Sequence, residues 1–155
     1  MIRKASLEDV PQLVEMMAEF YSGSPYTLNP RRATEAFTAL LNDERLGHVW
    51  FIQAGPKDVG YMVVTLCHSM TYGGPMAVID DLFVRQAFRG AGLGKAVMTE
   101  VRSFYAGHGI RAMRVETGRD NAAALAVYKR VGFVEDDLAH LTLGLADPTH
   151  APDRD

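Results

Sequence analysis

Residues 79–95, Ile-Asp-Asp-Leu-Phe-Val-Arg-Gln-Ala-Phe-Arg-Gly-Ala-Gly-Leu-Gly-Lys, constrain this 155-residue chain more than any other stretch. An apolar, β-branched run ends in a bend carrying Gly90, Gly92 and Gly94, and helical periodicity follows through Ala96, Val97, Val101 and Phe104. Strand, glycine bend and helix in that order suit an α/β layered fold. Glycine accepts positive φ and lets bare N–H groups come close to a ligand. A helix start adds unpaired N–H donors and the positive end of its dipole. The expectation is an anion cradle over residues 89–95. Two familiar versions fail on spacing. A P-loop needs glycine where Arg89 stands and a hydroxyl where Ala96 stands; a dinucleotide fingerprint needs its third glycine at Lys95.

The rest of the chain supplies alternating elements. Residues 2–5 read as a short strand, and Ser6 before Leu7-Glu8-Asp9 resembles a capping box. Val10, Leu13, Val14, Met17 and Phe20 then recur at helical spacing. The turn-rich stretch 22–30 ends in Asn29-Pro30, a cap and first-turn pair for a second helix reaching about residue 42. Strands are expected at 47–54 and 59–68, joined through Gly55-Pro56-Lys57-Asp58, and again at 76–84. The helix after the glycine bend stops at Gly107; a strand at 111–117 follows, then a helix from Asp120-Asn121 to Gly132. Residues 133–136 and 139–145 read as two last strands.

Several classes of function are excluded early. A formal charge of −3 gives no electrostatic footprint for nucleic acid. Cys67 is the single cysteine, and the five histidines lack ligand spacing, so no metal site is expected. Cys67 and His68 are neighbours on a strand and face opposite sides, which argues against a nucleophile–base pair. No apolar run approaches a bilayer span and no signal core follows Met1, so the expectation is a cytoplasmic protein without a membrane partner.

Arg89-Gly90-Ala91-Gly92-Leu93-Gly94 resembles the R-G-x-G-I/L-G acetyl-CoA loop of the GCN5-related N-acetyltransferase (GNAT) family. Asn121 through Phe133, with Asn121, Ala124, Tyr128, Gly132 and Phe133, resembles that family's N-x-x-A-x-x-x-Y-x-x-x-G-F block. Both motifs lie in the C-terminal half; the first half matches only in its order of elements. One departure is Gln86, where many members have proline. The resemblance implies an α/β acyl-CoA N-acyltransferase fold, with a mixed β-sheet of about seven strands flanked by about four helices. Residues 1–146 would form one domain, and 147–155 a loose tail.

The resemblance also implies roles. Acetyl-CoA would be the acetyl donor, with no metal. The backbone of Leu82, Phe83 and Val84 would pair with its pantetheine arm like an added strand. Arg89, Gly90, Ala91, Gly92, Leu93, Gly94 and Lys95 would hold the pyrophosphate, while Asn121 and Ala124 would lie along the arm. Tyr128 would be the general acid for the departing thiolate, since a phenol's ordinary pKa, about 10, lies within reach of a thiol's. An alkylammonium acceptor has a pKa of about 10.4 and must lose a proton to a carboxylate, directly or through water. Asp80 and Asp81 fall on opposite faces of a regular strand, so one of them should face the acceptor. Asp80 matches the acid of polyamine-type relatives and is the expected base, with Glu116 the second candidate. Tyr26, Asp80 and Glu116, with Glu19, Tyr21 and Tyr72 nearby, would line the site of a small-molecule amine. A peptide or protein amine, or a non-catalytic acyl-CoA sensor, are the alternatives. Relatives are often homodimers, and the same is expected here.

Overall fold

Alternating apolar residues on adjacent strands bury both faces of one sheet in the computed structural model, which describes residues 1–152. The strands are β1 (Ile2–Lys4), β2 (Tyr26–Leu28), β3 (Gly47–Ala54), β4 (Lys57–Ser69), β5 (Gly74–Val84), β6 (Ala112–Val115) and β7 (His150–Pro152). The helices are α1 (Val10–Ser22), α2 (Pro30–Leu41), α3 (Leu93–Ala106) and α4 (Ala122–Val131). A five-stranded sheet runs β1-β3-β4-β5-β6, antiparallel except for the parallel β5–β6 pair. β2 and β7 form a separate antiparallel pair.

Period-2 alternation assigns the two faces. Val49, Phe51, Tyr61 and Val63 pack against Leu13 and Met16 of α1 and Phe37 of α2. Trp50, Ile52, Met62 and Val64 pack on the other face against Val97, Met98, Val101 and Tyr105 of α3, with Tyr128 and Val131 of α4. Within the second core, the Trp50 Nε1–H donates to the Tyr105 hydroxyl at 3.0 Å, and His48 Nδ1 lies 2.9 Å from the same oxygen.

β5 changes sides partway along. Ala77 and Ile79 belong to the α3/α4 core, but Phe83 belongs to the α1/α2 core. The ladder explains the switch: Val64 pairs with Ile79 and Val63 with Asp81, so Asp80 is the extra residue of a β-bulge. A bulge adds one residue to one strand and reverses the facing of everything after it. β6 follows β5 only as far as the Ile79–Val115 pair, and the two strands part where the bulge begins.

The expected order holds through α4 apart from β2, whose Tyr26–Leu28 lies in the stretch 22–30 read as a turn-rich loop, and two further differences follow. Sequence alternation placed strands at 133–136 and 139–145, but among the described residues neither forms a ladder. An open cleft lies between residues 133–138 and β6, and the two do not pair. Residues 147–155 were expected to be loose, whereas His150–Pro152 pairs with Tyr26–Leu28; residues 153–155 lie outside the described part.

Gly60 sets the β4–β5 spacing where it pairs with Val84. A Cβ built there would lie 2.1 Å from the Phe83 carbonyl oxygen, a backbone atom that cannot yield without moving the strand. Gly60→Ala should therefore cost roughly 2–3 kcal/mol, in the range of core overpacking. Chemical denaturation of the two proteins checks this, and an unchanged midpoint would contradict it.

Candidate active site

The parting of β5 and β6 leaves one backbone edge unpaired. Leu82, Phe83 and Val84 bond Met62, Tyr61 and Gly60 on the β4 side, and none has a β6 partner. The chain then passes through a 3-10 turn at Gln86–Phe88 into the glycine bend. Gly90 and Gly92 take φ of 80° and 76°, left-handed conformations that side chains with a Cβ resist. Gly92 is the residue that caps α3, with no side chain in the way. Among the described residues, no N–H from Gly90 to Lys95 donates to a protein carbonyl. Those amides and the helix dipole face outward together, an arrangement suited to an anion. Arg89 turns back toward the strand: its Nε donates to the Val84 carbonyl at 2.6 Å, and its guanidinium lies 5.9 Å from the Phe83 ring.

Asn121 caps α4 by accepting from the Ala124 N–H at 3.2 Å. Two turns on, Tyr128 is only 8% exposed and stacks edge-on with Phe133 at 5.6 Å. Burial pushes its phenol above the ordinary value, so it stays protonated. Its hydroxyl has no hydrogen-bond partner among the described residues, which is unusual for a buried tyrosine. Tyr128 lines the cleft that runs along Val115 and Thr117, where β6 ends.

On the opposite face of the sheet lies a cavity of about 650 Å³, walled by Met17, Tyr21, Phe37 and Leu40 and floored by Asp80 and Asp81. The two aspartates were expected on opposite faces. The bulge corrects this: with Asp80 unpaired, Asp81 rotates onto the α1/α2 side and both carboxylates reach one cavity. Asp81 is partly buried and accepts a hydrogen bond from the Tyr61 hydroxyl at 3.1 Å. Burial raises its pKa, the neighbouring Asp80 charge adds to the effect and the Tyr61 bond opposes it, leaving Asp81 at about 6. Burial, reinforced by the nearby carboxylates, pushes the Tyr21 and Tyr61 phenols up, so both remain protonated.

The other candidates scatter. Glu116 is not in this cavity; it lies on the outer side of β6, 3.4 Å from His140. Tyr26 stands on β2, paired with Pro152 and outside the cavity lining. Glu19 binds Arg85 at 3.1 Å, and Tyr72 borders the outer cleft. Lys95 is exposed at the start of α3. Tyr61 is the residue the sequence reading missed. Its signal was a hydroxyl inside an apolar strand, which needs a partner once buried.

A family model described as "Acetyltransferase (GNAT) family" matches residues 11–133, most of the chain, and this protein belongs to that family. An uncharacterized N-acetyltransferase of Methanocaldococcus jannaschii is 26% identical over 141 residues, covering 88% of this chain and 62% of that protein. This chain thus spans under two thirds of that relative's length. Among solved structures, an integron cassette protein from the mobile metagenome of Cole Harbour Salt Marsh is 42% identical, with a TM-score of 0.86 over 96% of this chain and 92% of that one. A predicted acetyltransferase of Clostridium acetobutylicum, solved with acetyl-CoA, shares the fold at 18% identity, with a TM-score of 0.75 over 94% of this chain and 96% of that one.

The electrostatics of the cavity can be read directly. Asp81 should titrate at about pH 6 by carboxyl ¹³C NMR. Tyr61→Phe should move that midpoint up by removing the bond to the carboxylate, and Asp80→Asn should move it down by removing the like charge. An Asp81 midpoint at the ordinary aspartate value, about 3.9, would contradict the burial.

Proposed function

We propose that this chain transfers an acetyl group from acetyl-CoA directly to the primary amine of a small molecule. The observation carrying this reading is the bulge at Asp80, which places a free strand edge and a carboxylate-floored cavity on adjoining sides of one strand. The edge at Leu82–Val84, which lacks a β6 partner and has its Val84 carbonyl engaged by Arg89, suits the amide groups of a pantetheine arm. The six free amides from Gly90 to Lys95 suit its diphosphate. Family membership and the acetyl-CoA carried by a structural neighbour support the same donor.

In this reading Asp80, at the exposed bulge, draws the cationic amine toward the cavity. Asp81 accepts the ammonium proton, directly or through a water, because its pKa of about 6 leaves it ionised yet basic near neutrality. The neutral nitrogen attacks the thioester carbonyl, the C–N bond forms and the C–S bond breaks, and the second proton that the nitrogen sheds on becoming an amide passes through solvent to replace the one Tyr128 gives up. The departing sulfur takes its proton from Tyr128, whose buried hydroxyl has no competing partner in the protein. Apolar walls from α1 and α2 favour an acceptor with a hydrocarbon or ring body behind its amine. Glu116, separated from the cavity, takes no part in proton removal here.

Steady-state kinetics with an amine panel and CoA release as readout test the proposal. The acid limb of kcat/KM should rise through about pH 6. Asp81→Asn should abolish the limb and lower the rate on the order of 10²-fold or more. Asp80→Asn should shift it to lower pH, because a like charge no longer raises Asp81. Tyr128→Phe should lower kcat on the order of 10²-fold without weakening CoA binding. If Asp80→Asn alone removes the limb, Asp80 is the base. If no amine accelerates CoA release while acetyl-CoA binds, the sensor reading replaces this one.

Gly94→Ala separates the anion cradle from the fold. A Cβ there would meet only the Val127 Cγ1 at 3.7 Å, an ordinary contact. Alanine also favours the helix by up to about 1 kcal/mol over glycine. Stability should hold or rise while CoA affinity, read by calorimetry, falls roughly tenfold or more, the equivalent of one lost hydrogen bond to a charged group.

A further inference from the structure

The cavity beneath α1 and α2 is charged at one end and apolar along the rest. Asp81 lies across the ladder from Val63, which fixes the charged end on β4. Further along that strand, Thr65 and Leu66 line the same cavity, and the Leu66 N–H donates to the Leu46 carbonyl at 2.8 Å. At the rise of a β-strand, the step from Val63 to Leu66 spans about 10 Å. The cavity therefore has an axis, with two carboxylates at one end and Leu46 and Leu66 at the other. Leu46 is itself out of place in sequence, an apolar residue closing the polar turn Asn42-Asp43-Glu44-Arg45. It is 48% exposed, and the side chain lines the cavity.

Charge is confined to one end. Among the described residues, Asp80 and Asp81 are the only charged side chains in the lining. Acids on the flanking elements are already paired: Glu19 with Arg85, Glu35 with Arg31, Asp43 with Arg45 and Asp147 with Arg32. A cation held about 10 Å along the strand from Asp81 would rest against Leu46 and Leu66 with no carboxylate to balance it. Moving an unpaired charge out of water costs far more than a buried methylene gains. Backbone amides of a peptide would lose water against the same leucines.

We propose that the acceptor is a hydrophobic monoamine: one ammonium at the Asp80–Asp81 end, an uncharged body reaching toward Leu46, and polycationic amines turned away. Leu46 is then the residue that selects a neutral far end over a charged one. The inference rests on the acetyl-transfer reading and narrows its acceptor from any primary amine to this class.

Hexylamine and hexamethylenediamine differ only at the far end and are the probes, with propylamine as the short control. With the full chain and acetyl-CoA, kcat/KM read by CoA release should rise roughly two- to fourfold per methylene from propylamine to hexylamine. It should fall roughly tenfold or more from hexylamine to hexamethylenediamine. Leu46→Glu supplies a distant carboxylate and should raise the diamine-to-monoamine ratio roughly tenfold or more. Leu46→Gln, of the same shape without the charge, should not. Because Leu46 is half-exposed, both variants should melt near the parent protein. A flat chain-length series, a diamine used as well as hexylamine, or a ratio unmoved by Leu46→Glu would each overturn the inference. Calorimetry of the same amines with CoA bound reads the preference without turnover. If hexylamine binds preferentially while no amine releases CoA, the acetyl-transfer reading fails and this one stands; equal affinities overturn it.

Discussion

One extra residue in one strand governs this structure. Without the bulge at Asp80, β5 would continue alongside β6 and its edge would be consumed by the ladder. With it, the strands part, the backbone of Leu82–Val84 is left without a partner on the β6 side, and the parity of the side chains reverses. Phe83 goes into the α1/α2 core instead of the α3/α4 core, and Asp81 comes to the cavity beneath those helices. The glycine bend is the natural sequel. A strand that has left its neighbour enters a helix whose first amides have no carbonyl to meet.

Each side of the parted strand then has its own physics. In the proposed reading the donor side works through backbone: strand groups without a β6 partner, amides of the glycine bend and a helix dipole. The acceptor side works through side chains in a low-dielectric setting. Burial and the Asp80 charge disfavour the Asp81 anion, and the Tyr61 hydroxyl restores part of what they take away. Three terms of opposing sign place one carboxylate near the pH at which proton transfer is most useful. Tyr21 and Tyr61, held neutral by the same burial, remain hydrogen-bond donors and do not add charge.

That division explains what the sequence made legible. Gly90, Gly92 and Gly94, the Asn121 cap and Tyr128 stand at fixed spacings because backbone geometry and helix phase demand them, so they could be read in one dimension. The helices and the strands through β6 followed from periodicity except β2, whose Tyr26–Leu28 was hidden in a turn-rich stretch. Asp80 and Asp81 could not be placed, since a bulge leaves no mark in residue type; strict alternation separated two carboxylates that the fold brings together. Tyr61 was hidden for a related reason. Its role depends on lying across the ladder from Phe83, and cross-strand register is not written in a single strand. Glu116 and Tyr26 were assigned to the acceptor site by position in a strand or loop, and the layering of the sheet sends both elsewhere.

The C-terminal arm, residues 133–149, makes the complementary case. Its alternation was read as strand, and the pattern is real, but a strand is defined by its partner and the arm forms no ladder. Among the described residues β6 keeps an open edge and the arm keeps its leucines exposed, two costs in one region. The arm runs beyond the slot beside that edge and does not enter it. The far wall of that slot is built by residues 133–138 of the very chain whose 141–145 do not fill it. Local pattern and single-chain packing therefore disagree at this one place.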